Sequence, residues 1–341
     1  MSSSAQDSLA EARHLRVGSQ PSATNDASDG ARILAALQVH PRASWPQIAD
    51  VLEMHERTVA RRGQDMLDRG LVRVAAVSAG SPGTIIEAET DRGAVRMAAK
   101  SLAARLDVSW LHLTTGRSDL IGEITIPDAD LAEVVIDELQ AIPGARHVRT
   151  NPSLRYLRVA KDWDPGVLLF EETRRLAELN EFGTPAYEVR WNVPALDAVD
   201  EKISTELARF GRATFVDLSR LAGVSESTVR RRVAKLAASG RIALRAVFAP
   251  RLVGLPLTAI LRLSVRPRHL SEVASLVSAE ARIRNAVITT GRFDFLIQLD
   301  TASRADLQEV LSSHPMMKLV DHVETSVVLK SAKRSRIQFD V

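Results

Sequence analysis

A chain that repeats a two-part pattern along its length is constrained to fold as paired units, and here the repeat spacing is about 170 residues. Ser44-Trp45-Pro46-Gln47-Ile48-Ala49 returns in kind as Thr214-Phe215-Val216-Asp217-Leu218-Ser219. Arg57-Thr58-Val59-Ala60-Arg61-Arg62 returns as Ser227-Thr228-Val229-Arg230-Arg231-Arg232. Each copy then reaches a glycine, Gly70 or Gly240, ahead of a short β-branched run. Further on, Thr114-Thr115-Gly116-Arg117-Ser118-Asp119 is echoed by Thr289-Thr290-Gly291-Arg292-Phe293-Asp294. The chain reads as a tandem duplication of a two-domain unit.

Its 341 residues, 45% of them apolar, suffice to bury real cores. The absence of cysteine excludes disulfides, thiolate metal sites and cysteine nucleophiles. No apolar run approaches the roughly 18 residues of a spanning helix, and no basic-then-apolar leader opens the chain, so a cytoplasmic protein with no membrane partner is expected. A net charge of +3 is too small to imply a nucleic-acid partner by itself; the positions of the charges must carry that argument.

Residues 1–28, rich in Ser, Ala, Asp and Gln, read as a flexible tail. Asp29 is expected to cap a helix carrying Ile33, Leu34 and Leu37. Ser44 with Gln47 has capping-box spacing and opens a second helix, and a third runs from about His55 to Asp68. The second copy repeats this trio: Ile203 and Leu207 on the first helix, Thr214 with Asp217 opening the second, Gly223 at the turn, and Ser225 capping a third that carries Val229, Val233 and Leu236. Glu53 replaces the turn glycine in the first copy, predicting a strained or differently shaped turn at a cost of about 1 kcal/mol.

After each trio, strand and helix alternate. The first half reads strand 84–90, helix 92–106, strands 107–115 and 119–126, helix 128–140 and strand 145–150, with a further strand at 154–160. The second reads strand 257–265, helix 268–280, strands 282–290 and 293–300, helix 303–313 and strand 319–330. This βαββαβ order is ferredoxin-like. The expected fold class is α+β, two repeats of a three-helix helix-turn-helix domain followed by a ferredoxin-like domain: 29–76 and 84–160, a linker 161–195 containing a helix-like stretch from Leu168 to Leu179, then 196–247 and 250–332.

The third helix of each trio has the composition of a recognition helix, which enters the DNA major groove. With Val229, Val233 and Leu236 inward, Ser227, Arg230 and Arg231 face outward. In the first copy the outward set is Arg57, Arg61 and Gln64. Arginine can give two hydrogen bonds to guanine, and a short hydroxyl reaches a base or a phosphate. Candidate DNA contacts are therefore Arg57, Thr58, Arg61 and Gln64 in the first unit, and Ser225, Ser227, Thr228, Arg230, Arg231 and Lys235 in the second. Arg62 and Arg232 flank the apolar stripe and read as ion-pair partners. The unequal faces predict half-sites of unequal sequence preference.

The stretch Leu218-Ser219-Arg220-Leu221-Ala222-Gly223-Val224-Ser225-Glu226-Ser227-Thr228-Val229-Arg230-Arg231-Arg232-Val233 through Gly240-Arg241-Ile242, followed by Gly291-Arg292-Phe293-Asp294, resembles the Lrp/AsnC regulators. The likeness covers about 29–160 and 196–332. It implies double-stranded DNA and a small effector, commonly an amino acid, as partners, no cofactor, and pairing through the ferredoxin-like modules. One chain would be a covalent pseudo-dimer able to assemble into a homodimer or larger. By position it assigns effector contacts to Thr115, Gly116 and Asp119 and to Thr290, Gly291 and Asp294; the same residue types also suit a bare hairpin turn. The architecture resembles siroheme decarboxylases as well, tetrapyrrole enzymes using His and Arg. However, no two of the eight histidines have metal-ligand spacing on one helix, and His112 and His147 read as structural. No phosphate loop, nucleophile elbow or His-Glu-x-x-His motif is present. A third reading keeps the sensor but removes DNA binding from the first unit, because of Glu53 and of Gly63 within its recognition helix.

Overall fold

The computed structural model describes residues 28–78, 83–160, 163–182 and 196–339. The tail expected before residue 28 lies outside these residues, as do 161–162 and 183–195 of the expected linker. The first trio is α1 (Asp29–Val39), α2 (Trp45–Leu52) and α3 (Glu56–Asp68). The cap of α1 is Ser28 rather than Asp29. The Ser28 hydroxyl accepts from the Ala31 N–H at 3.3 Å, and Asp29, already inside the helix, turns its carboxylate to Arg62 at 3.2 Å. The Ser44–Gln47 capping box forms in both directions. Glu53 ends α2 in the left-handed conformation (φ 54°, ψ 41°), and Gly223 does the same in the second copy (φ 71°, ψ 31°). The two turns thus share one shape; only the first carries the steric cost of a Cβ.

Strand β1 (Val72–Ser78) leaves the first unit and pairs antiparallel with β6 (Ile242–Phe248), which leaves the second. Ala75 lies opposite Arg245, its own counterpart in the repeat, so a pseudo-twofold axis crosses the ribbon there. The second trio is α7 (Ala198–Arg209), α8 (Phe215–Ala222) and α9 (Glu226–Ala238). Before it comes α6 (Phe170–Leu179), which is no spacer. Leu176 and Trp163 are buried in the core of the first unit, Glu172 pairs with Arg32 at 2.5 Å, and Arg175 reaches Asp50 at 2.8 Å.

Each ferredoxin-like module has its strands in the expected order. The first comprises β2 (Gly83–Thr90), α4 (Val95–Ala104), β3 (Val108–Thr114), β4 (Leu120–Thr125), an irregular helix α5 (128–138) and β5 (Ala145–Arg158). The second comprises β7 (Leu257–Val265), α10 (Leu270–Ala279), β8 (Ile283–Thr289), β9 (Phe295–Thr301), α11 (Arg304–Ser313) and β10 (Val320–Arg334), with a short β11 (Ile337–Gln338) folding back on β10.

Three features differ from the sequence reading. Helix 128–140 is not a regular α-helix: it passes from 3-10 through α to π geometry, and a wide Leu139 N–H to Val134 C=O bond of 2.9 Å lets both Val134 and Leu139 face the core. The strands read at 145–150 and 154–160 are one strand, and the strand read at 319–330 extends to Arg334. Both long strands change partner midway. β5 runs beside β2 up to Pro152 and beside β8 from Ser153, and β10 runs beside β7 up to Val327 and beside β3 from Val328. The exchange closes eight strands into a ring, β10-β3-β4-β2-β5-β8-β9-β7 and back to β10. Helices cover the outside, and the inside holds Ile85, Trp110, Ile121, Ile260, Val287 and Leu296.

Candidate nucleic-acid interface and effector turns

Helix α9 exists because Ser225 caps it, its hydroxyl accepting from the Thr228 N–H at 3.3 Å, and because Val229, Val233 and Leu236 are buried against α7 and α8. That packing leaves Ser227, Arg231 and Lys235 exposed. Arg230 is half-exposed, lies 4.4 Å over the Phe215 ring and gives a 2.8 Å hydrogen bond to Glu181. Such an exposed pair is worth at most about 1 kcal/mol, so a phosphate can take the place of Glu181. Ser225 and Thr228 are committed to the cap, which leaves them at the end of the helix but with fewer free donors. In α3, Arg57, Arg61 and Gln64 are exposed, Thr58 is half-buried, and Gln64 donates to Asp68 at 2.8 Å. Arg62 and Arg232 are ion-paired as read: Arg232 reaches Asp197 at 2.6 Å and Asp200 at 2.9 Å, bonds that raise its pKa and lower that of Asp197.

Gly63 has a packing function. A Cβ there would stand 2.4 Å from the Trp45 ring, which comes up against the helix at this point. The equivalent positions of the second unit hold Phe215, a smaller ring, and Val233, a larger helix residue, both in one apolar cluster. Gly63 thus makes room for the larger Trp45 ring, a packing reason for a glycine within this helix.

The two units are also joined by a feature the sequence reading missed. Arg42, in the turn after α1, donates to the carbonyls of Gly211 and Ala213 at 2.6 and 2.7 Å and stands 4.9 Å over Phe215. Its counterpart Arg212 donates to the carbonyls of Pro41 and Ala43, both at 2.8 Å, and stands 4.6 Å over Trp45. Each guanidinium therefore caps the other unit's turn and stacks on the aromatic residue that opens its second helix. Burial lowers both pKa values, that of Arg212 to about 10 with help from Arg42. His40 lies in the same contact, held near 4 by burial and then by the charge of Arg212. The signal was present in the repeat, as Arg42 and Arg212 occupy equivalent positions, but sequence does not show a contact across that distance.

At the candidate effector turns, Gly116 (φ 93°) and Gly291 (φ 98°) adopt a conformation that favours glycine. Asp119 accepts through Oδ2 from the Thr90 N–H at 2.7 Å and hydroxyl at 2.9 Å, and Asp294 accepts from the Val265 N–H at 2.7 Å. Each carboxylate thus fastens its turn to the end of the module's first strand and keeps one oxygen uncommitted to that bond. Thr115 exchanges two hydrogen bonds with Val327, whereas the Thr290 N–H donates to the carbonyl of Pro152, which has no N–H to return the bond. All six residues sit where the strands change partner between modules. Of the histidines, His112 is buried with its pKa pushed down to about 3 by burial, then by Arg334 and Arg284; His147 is exposed. Among the described residues no group of three acidic or histidine side chains is placed to hold a metal, and no helix is long and apolar enough to cross a membrane.

Comparison with known proteins places these parts. The AsnC-type helix-turn-helix domain matches residues 30–67 and 196–237, and the Lrp/AsnC ligand binding domain matches 84–159 and 258–338. The HTH-type transcriptional regulator FL11 of Pyrococcus horikoshii is 30% identical over 141 residues, 41% of this chain and 93% of its own length. The leucine-responsive regulatory protein of Haemophilus influenzae is 31% identical over 147 residues, 41% of this chain and 88% of its own. Among solved structures, the siroheme decarboxylase NirDL superposes over 92% of this chain and 95% of its own with a TM-score of 0.56 at 13% identity, a likeness of fold.

Proposed function

Because the chain belongs to the Lrp/AsnC family, we propose that it is a sequence-specific, DNA-binding transcriptional regulator that answers to a small metabolite, with an amino acid as the expected class. The observation that carries this reading is the reciprocal Arg42–Arg212 exchange, which fixes two recognition helices with exposed cationic faces in one orientation about the pseudo-twofold axis. A rigid pair suits two half-sites on one face of the duplex, about one helical turn or a multiple apart. In this reading Arg57, Thr58, Arg61 and Gln64 contact one half-site, and Ser225, Ser227, Thr228, Arg230, Arg231 and Lys235 the other. The effector sits at the turns of Thr115, Gly116 and Asp119 and of Thr290, Gly291 and Asp294, where a carboxylate oxygen and exposed backbone suit an α-amino acid. A cytoplasmic location and further association of whole chains belong to the same proposal.

The test is selection of genomic fragments by the purified chain, with and without a pool of amino acids, followed by footprinting. Two protected half-sites, with recovery altered by the pool, are expected; one short site per chain contradicts the reading. Arg230→Ala with Arg231→Ala should reduce the salt dependence of binding, by about 0.9 in the log–log slope for each phosphate no longer neutralised. Comparing this reduction with that from Arg57→Ala and Arg61→Ala shows whether the first unit reads DNA or only grips it. The fold shared with NirDL keeps a tetrapyrrole as the competing ligand, and a porphyrin absorption band retained by the protein after gel filtration would favour it.

A further inference from the structure

The ring of strands is closed at its centre by two residues that are counterparts of one another. Glu87 stands opposite Ile121 in the first module, and Arg262 holds the same station opposite Leu296 in the second. They meet inside the barrel: the Arg262 guanidinium lies 2.8 Å from the Glu87 carboxylate through Nη2 and 3.0 Å through Nε, with the arginine side chain 1% exposed. A residue that touches its own counterpart lies on the pseudo-twofold axis, and in a symmetric pairing of two identical modules it would touch itself. Two first modules would bury Glu87 against Glu87, and two second modules Arg262 against Arg262.

The surroundings are sorted the same way. Ser118 donates to Glu87 at 2.8 Å, while its counterpart Phe293 offers no hydroxyl and stacks on His322. On the other side, Ser326 accepts from Arg262 at 3.0 Å and the Glu324 carboxylate stands 3.7 Å away. The counterpart of Glu324 is Arg149, which is committed to Glu89 at 2.8 Å.

We propose that the Glu87–Arg262 pair selects the partner of each module: the first accepts only a ferredoxin-like surface with a cation at its centre, the second only one with an anion. The barrel therefore closes on the opposite module of a tandem chain and refuses a second copy of either module. It also discriminates against relatives that match one half of this chain over nearly their whole length, unless their central residue has the complementary charge. Like charges at such a site are strongly disfavoured, whereas a buried opposite pair serves pairing specificity more than stability.

The chain has no cysteine of its own, so introduced thiols report pairing. Ser153 and Thr289 face each other across the seam, and Ser153→Cys with Thr289→Cys in one otherwise unaltered chain checks that the position links. The test then co-expresses a full chain carrying E87R and Ser153→Cys with one carrying R262E and Thr289→Cys. Each alone brings like charges together, but exchanged modules restore two opposite pairs. Disulfide-linked two-chain species should rise roughly tenfold over the same cysteines in unaltered chains, and should fall back when E87R and R262E are combined in every chain. Linking no higher than in unaltered chains overturns the proposal. If either single variant is insoluble alone, recovery of both on co-expression supports it and failure to recover contradicts it.

Discussion

The exchange of volume between Trp45–Gly63 and Phe215–Val233 can be tested by transplanting it. Taken alone, Gly63→Ala on a helix should gain about 1 kcal/mol of helix propensity. Here the new Cβ would stand 2.4, 2.5 and 3.0 Å from three atoms of the Trp45 ring. The ring cannot simply retreat, because the Arg212 guanidinium stacks 4.6 Å above it and is pinned by two carbonyls. Overpacking of this kind costs about 1–3 kcal/mol, and Gly63→Val adds further bulk, so both substitutions should destabilise the first unit despite their better propensity. Trp45→Phe alone empties part of the site and should cost about 1–2 kcal/mol. Combined, Trp45→Phe and Gly63→Val reproduce the arrangement of the second unit, and the double variant should recover at least about 2 kcal/mol relative to the sum of the singles. The assay is hydrogen exchange of the α2 and α3 amides in the full chain, which isolates this unit from the others, supported by denaturant unfolding. An additive double variant, or a Gly63→Ala chain more stable than the parent, would refute the argument.

Three further expectations follow from the same geometry. Arg42→Ala and Arg212→Ala should each cost about 2–3 kcal/mol and raise exchange at the opposite unit's turn, less than additively together; unchanged exchange would mean that the β1–β6 ribbon alone joins the units. Glu53→Gly should raise stability by about 0.5–1 kcal/mol, seen as a higher thermal midpoint, whereas the same change at an ordinary helical position lowers it. Since His40 is held near 4 in the fold against about 6.5 when unfolded, the unfolded chain binds the extra proton. Its contribution is complete above about pH 6.5 and is lost as pH falls toward 4, by about 1.4 kcal/mol per unit. Denaturation of His40→Gln across this window should show a flatter pH profile, and an unchanged slope would move the effect to another group.

The sequence reading succeeded for most local features, the exceptions being the Ser28 cap and the irregular α5. Ser44 with Gln47, Thr214 with Asp217 and Ser225 alone announce helix starts, and the flanking places of Arg62 and Arg232 on their apolar stripes were enough to mark them as ion-pair partners. It failed where the cause was distant. The strands read at 145–150 and 154–160 are one strand that changes neighbour at Pro152, whose missing N–H falls at the seam and whose carbonyl serves Thr290. Helix α6 looked like a connector because the surface it covers, around Arg32 and Asp50, is more than a hundred residues away in sequence. The residue types that make up the candidate site, Arg230, Arg231, Gly116 and Gly291 among them, stand out in the repeat. The commitments of Arg230 to Glu181 and of Asp119 and Asp294 to strand-end amides do not, because they depend on packing between elements.

Closing the ring within one chain changes how the protein responds to its own abundance. Where two separate chains must meet before both helices can be presented, the paired form falls off with the square of concentration and vanishes on dilution. Here the linking backbone turns that meeting into an intramolecular event, with an effective concentration that expression level does not alter. A single copy presents both helices, and that presentation, unlike any further association of whole chains, does not depend on concentration.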